Sequence, residues 1–260
     1  MDNANQLRSK LRNRQTCLGS VITFTDATVT EALSGLLDFV WIDTEHNALS
    51  LETVQAHLMA TRGTETTTLV RVPWNDPVLI KPVLDIGADG VIVPFVRTVD
   101  DVRRAVAACR YPPDGIRGYG PRRPTHYGRL GGPEYCRLAN ETIFIVVQIE
   151  HIDAVNNIDD IVRVPGLTSI VLGPNDLSGS MGLMGQSRHP KVLQALETVI
   201  TKARQAGLFV GIGIGDDPAV LMEWADKGVQ WLTLGNDYSL LLRAAQQVSE
   251  QVRAHARSRQ

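Results

Sequence analysis

The chain has 260 residues, 43% of them hydrophobic and 21% charged, with a formal net charge of −2 at pH 7. That length is close to the ~250 residues of one (β/α)8 barrel, and the composition is that of a globular protein. The near-neutral charge argues against nucleic acid or an anionic membrane as partner.

MDNANQLRSKLRNRQ lacks the apolar stretch of a secretory signal, and no apolar run approaches the ~18–20 residues of a membrane span. Cys17, Cys109 and Cys136 are odd in number and lack metal-type spacing, which fits a reducing compartment. A cytoplasmic protein without membrane contact is expected.

Short apolar runs alternate with helical patterns along the chain. The runs are 17–24, 39–43, 67–72, 90–95, 143–150, 168–173, 208–214 and 231–235. Candidate helices occupy 28–37, 51–61, 76–86, 98–109, 151–162, 190–206, 217–227 and 238–256, after an N-terminal helix or arm over 1–15. Strand-then-helix alternation predicts a parallel sheet, and eight units predict a closed (β/α)8 TIM barrel forming one domain, 1–260. Asp76-Pro77 and Asp217-Pro218 read as N-cap and first helical residue, and Gly87, Gly207 and Gly228 as helix stops.

Residues 110–142 break the rhythm. They are rich in Pro, Gly, Arg and Tyr without sustained helical period, and predict a long loop lying over the catalytic face. Arg117, Arg122, Arg123, His126 and Tyr127 within it suit an anionic substrate or a neighbouring subunit equally well.

Several apolar runs end in polar residues, and in a barrel the C-terminal strand ends carry the active site. After the second run come Asp43, Glu45 and His46. A carboxylate three residues before a histidine can orient the ring and raise its basicity, so Asp43 and His46 form a candidate dyad. The plain alternative is that Asp43 and Glu45 cap the helix beginning near Ser50. Arg71 ends the third run, where a guanidinium suits a carboxylate or enolate oxygen; an ion pair with a neighbouring acid is the alternative, and both can hold.

Gln148 and Glu150 share one face of the fifth strand. Asp176 follows Gly173-Pro174-Asn175, a turn whose amides are candidates for a substrate carboxylate, although Asp176 can also be read as a helix cap. Glu150 and Asp176 together point to a divalent cation with open coordination positions. Gly213 and Gly215 lack the third glycine of a nucleotide fingerprint.

DFVWIDTEHNALS, LVRVPWND, DIGADGVIVPFVRT, YPPDGIRG, VQIE and GPNDLSGSMG, in this order, resemble the HpcH/HpaI aldolase family, from about Gly19 to Gly235. The resemblance implies a metal-dependent (class II) pyruvate aldolase that cleaves a 4-hydroxy-2-oxoacid reversibly to pyruvate and an aldehyde. It implies Mg²⁺, Mn²⁺ or Co²⁺ on Glu150 and Asp176, and Arg71 steadying the enolate. His46 with Asp43 would handle protons, Gln148 would support the site, and amides around Gly173, Pro174 and Asn175 would meet the pyruvate carboxylate. No lysine lies at these strand ends, which fits metal chemistry better than a Schiff base.

Relatives are commonly homohexamers, trimers of dimers with the last helix exchanged between subunits, and Asp85 matches a position that reaches a neighbour's site. Oxaloacetate decarboxylation on the same scaffold is the alternative activity. A non-catalytic metabolite-binding barrel would be marked by a lost ligand or arginine, and Glu150, Asp176, Arg71 and His46 are all present.

Overall fold

Runs rich in Val, Ile, Leu and aromatic residues become parallel strands buried on both faces, as such runs do when helices cover them. The structure, a computed structural model, describes residues 2–259. The strands are β1 Cys17–Ile22, β2 Phe39–Asp43, β3 Thr67–Arg71, β4 Gly90–Val93, β5 Phe144–Ile149, β6 Ser169–Leu172, β7 Phe209–Ile212 and β8 Trp231–Asn236. They close in sequence order, β8 pairing with β1, into a parallel barrel.

The helices are α1 Asp2–Arg12, α2 Thr28–Leu33, α3 Leu51–Ala60, α4 Pro77–Asp85, α5 Val99–Cys109 and α6 Gly132–Thr142. They continue as α7 Ile152–Asn156, α8 Ile158–Ile161, α9 Pro174–Ser180, α10 Pro190–Gln205, α11 Pro218–Asp226 and α12 Asp237–Arg257. The (β/α)8 class read from the sequence is therefore observed.

Side chains alternate between two cores. Val40, Ile42, Val70, Val91, Ile145 and Val147 pack outward against the helices. Phe39, Trp41, Leu69, Ile92, Phe144, Val146, Val171 and Trp231 fill the interior. Because side chains repeat every two residues along a strand, the inward series continue to Asp43 on β2, Arg71 on β3 and Gln148 then Glu150 on β5. The same period that fills the barrel thus delivers polar groups to its C-terminal mouth. Large rings inside need small neighbours. Phe39 and Trp231 meet edge to face at 5.3 Å, and a Cβ on Gly211 would lie 2.0 Å from the Trp231 ring.

The opposite mouth is closed by α1. Ala4, Leu7 and Leu11, spaced to share one helix face, join the interior cluster. The Asn3 amide donates to the Thr66 carbonyl at 3.0 Å.

Caps act as their sequence pattern predicts. Asp76 accepts from Val78 N–H and Asp217 from Ala219 N–H, each with proline opening the helix. Ser50, not Asp43 or Glu45, caps α3, which frees both carboxylates for other partners.

Segment 110–142 departs from expectation twice. It contains α6, signalled by Gly132-Pro133-Glu134 and by Tyr135, Ala139 and Thr142 on one buried face. It also lies at the N-terminal end of the strands and not over the catalytic face. The physical reason is direction: β4 runs to the catalytic end, but α5 has already carried the chain back. Arg123 donates to the carbonyls of Leu58 and Ile86 at the ends of α3 and α4, and Arg8 of α1 donates to those of Thr142 and Ile143. Arg117 is buried against Asp85 at 2.8 Å and over the Tyr111 ring, while Arg122, His126 and Tyr127 are exposed.

Candidate active site

At the catalytic mouth the ends of β2, β3 and β5, with the segment just after β4, contribute one connected polar line. Asp43 and Arg71 are register partners across β2 and β3. Arg71 Nε donates to Asp43 Oδ1 at 2.8 Å, and its Nη1 lies 2.9 Å from Glu45 Oε2. Nη1 also reaches Gln148 Oε1 at 3.5 Å, and the guanidinium carbon sits 5.0 Å from the Trp41 ring centre. Gln148 Nε2 donates in turn to Glu150 Oε2, and Glu150 Oε1 accepts from the Phe95 N–H at 2.7 Å. Asp43, Arg71, Gln148 and Glu150 are all buried.

The expected Asp43–His46 dyad is not formed. Asp43 spends its oxygens on Arg71, the Glu45 N–H and the Asn47 amide. His46 is exposed at the rim, and its Nε2 faces Glu45 Oε2 at 3.6 Å. Glu45 is thus the residue that the helix-cap reading passed over. The signal was available: Glu45 stands two residues after Asp43, on the same side of an extended chain.

Gly173 packs so closely that a Cβ there would lie 2.6 Å from Glu150 Cβ and 3.2 Å from Gln148 Nε2. Its N–H is spent on the Ile149 carbonyl and Pro174 has none, so Asn175 is left to offer an amide. Asp176 is exposed in the first turn of α9, whose N-cap is Gly173.

A cavity of about 600 Å³ opens here, lined by Asp43, His46, Arg71, Gln148, Asp176 and Asn236 among others. Asp85 lies at the far end of its own barrel, at the C-terminus of α4 and paired with Arg117.

Burial shapes the charges. It pushes the Glu150 carboxyl up to about 7, with the Glu45 and Asp176 charges adding and the Phe95 and Gln148 hydrogen bonds opposing. Burial likewise pushes Glu45 up to about 7, against the attraction of Arg71 and with Asp43 and Asp176 adding. Glu45 Oε2 is buried and, although within ion-pair range of Arg71, is out of line for a hydrogen bond. The Asp176 charge raises the proton affinity of both Glu45 and Glu150, and Glu45 adds to that of Glu150; excess negative charge of this kind is what a divalent cation would relieve. Among the described residues no three His, Cys, Asp or Glu groups converge as a closed ligand set. A cation on Glu150 and Asp176 would therefore draw further oxygens from water or substrate.

Residues 23–251 match the HpcH/HpaI aldolase/citrate lyase family. A 4-hydroxy-2-oxo-heptane-1,7-dioate aldolase of Salmonella typhimurium strain LT2 is 36% identical over 245 residues, 93% of this chain and 92% of that protein. The crystal structure of an HpcH/HpaI aldolase/citrate lyase family protein from Burkholderia cenocepacia J2315 is 32% identical, with a TM-score of 0.90 over 96% of this chain and 99% of that one. Citrate synthase SbnG is 29% identical, with a TM-score of 0.84 over 96% and 98%.

The chain belongs to the HpcH/HpaI aldolase/citrate lyase family. It is an enzyme, a carbon–carbon lyase of the aldolase type.

Proposed function

We propose that the protein is a divalent-metal-dependent pyruvate aldolase, cleaving a 4-hydroxy-2-oxoacid reversibly to pyruvate and an aldehyde. The observation that carries this is the buried line Asp43–Arg71–Gln148–Glu150, whose last carboxylate feels the charge of Asp176, itself in the wall of the cavity that Asp43, Arg71 and Gln148 also line.

Cleavage of the C3–C4 bond leaves negative charge on the 2-oxo oxygen and requires loss of the C4 hydroxyl proton. When held by Glu150 and Asp176, Mg²⁺, Mn²⁺ or Co²⁺ would supply Lewis-acid polarisation of the 2-oxo group. Arg71 presents a guanidinium already fixed by Asp43 and Glu45, so it meets the developing enolate without reorganising.

His46, at the rim and not sequestered by Asp43, takes the C4 hydroxyl proton, with Glu45 as its carboxylate neighbour. Asp43 acts through Arg71. Gln148 links Arg71 to Glu150, and the Asn175 amide, turned by Gly173-Pro174, meets the pyruvate carboxylate.

We extend the proposal to a homohexamer, a trimer of dimers with α12 exchanged. Supporting it, α12 exposes Leu241, Leu242, Val248 and Val252, an apolar surface that a partner would cover. Asp85 is remote from its own site, so any contribution it makes would be to a neighbour's.

The test is a retro-aldol screen of 4-hydroxy-2-oxoacids, neutral and dicarboxylic, with oxaloacetate included and pyruvate release as readout. Metal-dependent cleavage of at least one hydroxy-oxoacid is the expected result. Turnover confined to oxaloacetate would make the protein a decarboxylase on the same site.

A further inference from the structure

Phe95 stands two residues beyond β4 with φ of 56°, the left-handed region that a bulky L-residue enters only under strain. Its N–H donates to Glu150 Oε1 at 2.7 Å, and its ring stacks on Trp74, centroids 5.3 Å and planes 29° apart. The stack is not core packing: Trp74 is 53% exposed, at the rim of the barrel. Strained backbone persists only where the surroundings over-determine it, and such positions gather at ligand clamps.

Two donors hold Glu150: the Gln148 amide on Oε2, from its own strand, and the Phe95 N–H on Oε1, from the neighbouring one. With one donor on each oxygen the carboxylate plane is fixed, and each oxygen keeps a lone pair for another partner. Glycine at 95 would adopt the same φ freely. The chain places Phe there instead, and the aromatic pair offsets the strain that glycine would avoid.

We propose that Phe95, locked by Trp74, is a positioning residue whose left-handed backbone aims its N–H at Glu150 and orients that carboxylate for a divalent cation. This rests on Glu150 being a cation ligand, as proposed above. It needs no contact between Phe95 and substrate; the work is done by a backbone hydrogen bond, and the side chain only determines how easily that backbone is held.

Two substitutions that remove the same ring differ in backbone strain. Phe95→Ala loses the stack and keeps the strain. Phe95→Gly loses the stack and the strain together. Trp74→Ala loses the stack and leaves residue 95 untouched.

Mn²⁺ affinity of each full-length variant is to be measured by calorimetric titration without substrate, with circular dichroism confirming folding and Glu150→Gln as the control that removes the ligand charge. Phe95→Ala is expected to raise the Mn²⁺ Kd about tenfold, the equivalent of ~1.4 kcal/mol and within the cost of one left-handed residue. Phe95→Gly should recover most of that loss, staying within about threefold of wild type, because glycine carries no left-handed penalty. Trp74→Ala should weaken binding in the same direction, and it decides the matter if Phe95→Ala does not fold.

Equal Kd values for the Ala and Gly variants, or an unchanged Kd in Trp74→Ala, would overturn the positioning role while leaving the cation site standing. Wild-type binding that Glu150→Gln does not weaken would overturn the cation site itself, and the positioning role with it.

Discussion

Asp43 and Arg71 face each other across adjacent strands, at the last register pair of β2 and β3, and are joined by a 2.8 Å ion pair. Both are buried, and a buried pair is held at a desolvation cost that favourable geometry must offset. Here the arginine also contacts Glu45 and Gln148, so it is a fixed hub and not a solvated side chain.

Arg71→Ala should therefore lower kcat more than it raises KM. Losing a preorganised donor to a developing oxyanion typically costs about 10²–10³-fold in kcat. Arg71→Lys should restore little, since an ammonium cannot span Asp43, Glu45 and Gln148 as a planar fork does. Steady-state kinetics of pyruvate formation decides it; an effect confined to KM would reduce Arg71 to substrate binding.

His46→Ala should harm aldol cleavage more than exchange of the pyruvate methyl protons with solvent. Exchange involves no C4 hydroxyl, whereas cleavage needs a base there. Deuterium uptake and retro-aldol rate are to be compared in one preparation. Equal loss in both assays would assign His46 to enolisation.

Gly173→Ala should abolish activity while the barrel still folds. The new methyl would lie 2.6 Å from Glu150 Cβ and 3.0 Å from its Oε2, displacing the carboxylate from its place at the mouth. Loss of Mn²⁺ binding with an unchanged far-ultraviolet spectrum is the expected result; full activity would show that the strand ends can part at little cost.

Asp237 clamps the entry of α12 to the end of β1, accepting from Thr23 N–H, Thr23 Oγ1 and Phe24 N–H. Hydrogen bonds to a charged group contribute about 1.5–3 kcal/mol each, and each kcal/mol moves Tm by about 2–4 °C at this size. Asp237→Ala removes all three and should lower Tm by about 10 °C or more, measurable by thermal denaturation.

Stability should fall on acidification through His57. Its ring is held between Thr30 Oγ1 and the Phe24 carbonyl, and burial lowers its pKa below the ordinary 6.5. Below 6.5 the unfolded chain binds a proton that the folded one refuses, so stability present above that pH is lost as pH falls towards the folded value. Denaturant midpoints from pH 7.5 to 5 should decline less steeply in His57→Gln than in wild type.

The barrel was legible because its signals are local. Strand runs such as FVWID and TTLVR carry the apolar period directly, and Asp76-Pro77 marks a helix start with two residues. The strand-end carboxylates stood out for the same reason.

What escaped depends on direction or backbone. Segment 110–142 was assigned to the wrong face because α5 reverses the chain before it begins. Glu45 was placed at the strand end but given no partner, because its contact with Arg71 comes from another strand. The Phe95 N–H has no signature at all, since every residue but proline carries one and only its φ makes this one special.

We propose that Glu150, Asp176 and Arg71 form a metal-dependent enolising site for pyruvate, whichever aldehyde is its partner. The most direct test is deuterium uptake at pyruvate C3, in protein stripped of metal by chelator and then restored with Mg²⁺ or Mn²⁺. Uptake is expected in the restored enzyme, none in the stripped enzyme, and a loss of about 10²-fold or more in Arg71→Ala. Unchanged uptake after verified metal removal, or no uptake in the metal-loaded enzyme, would contradict it.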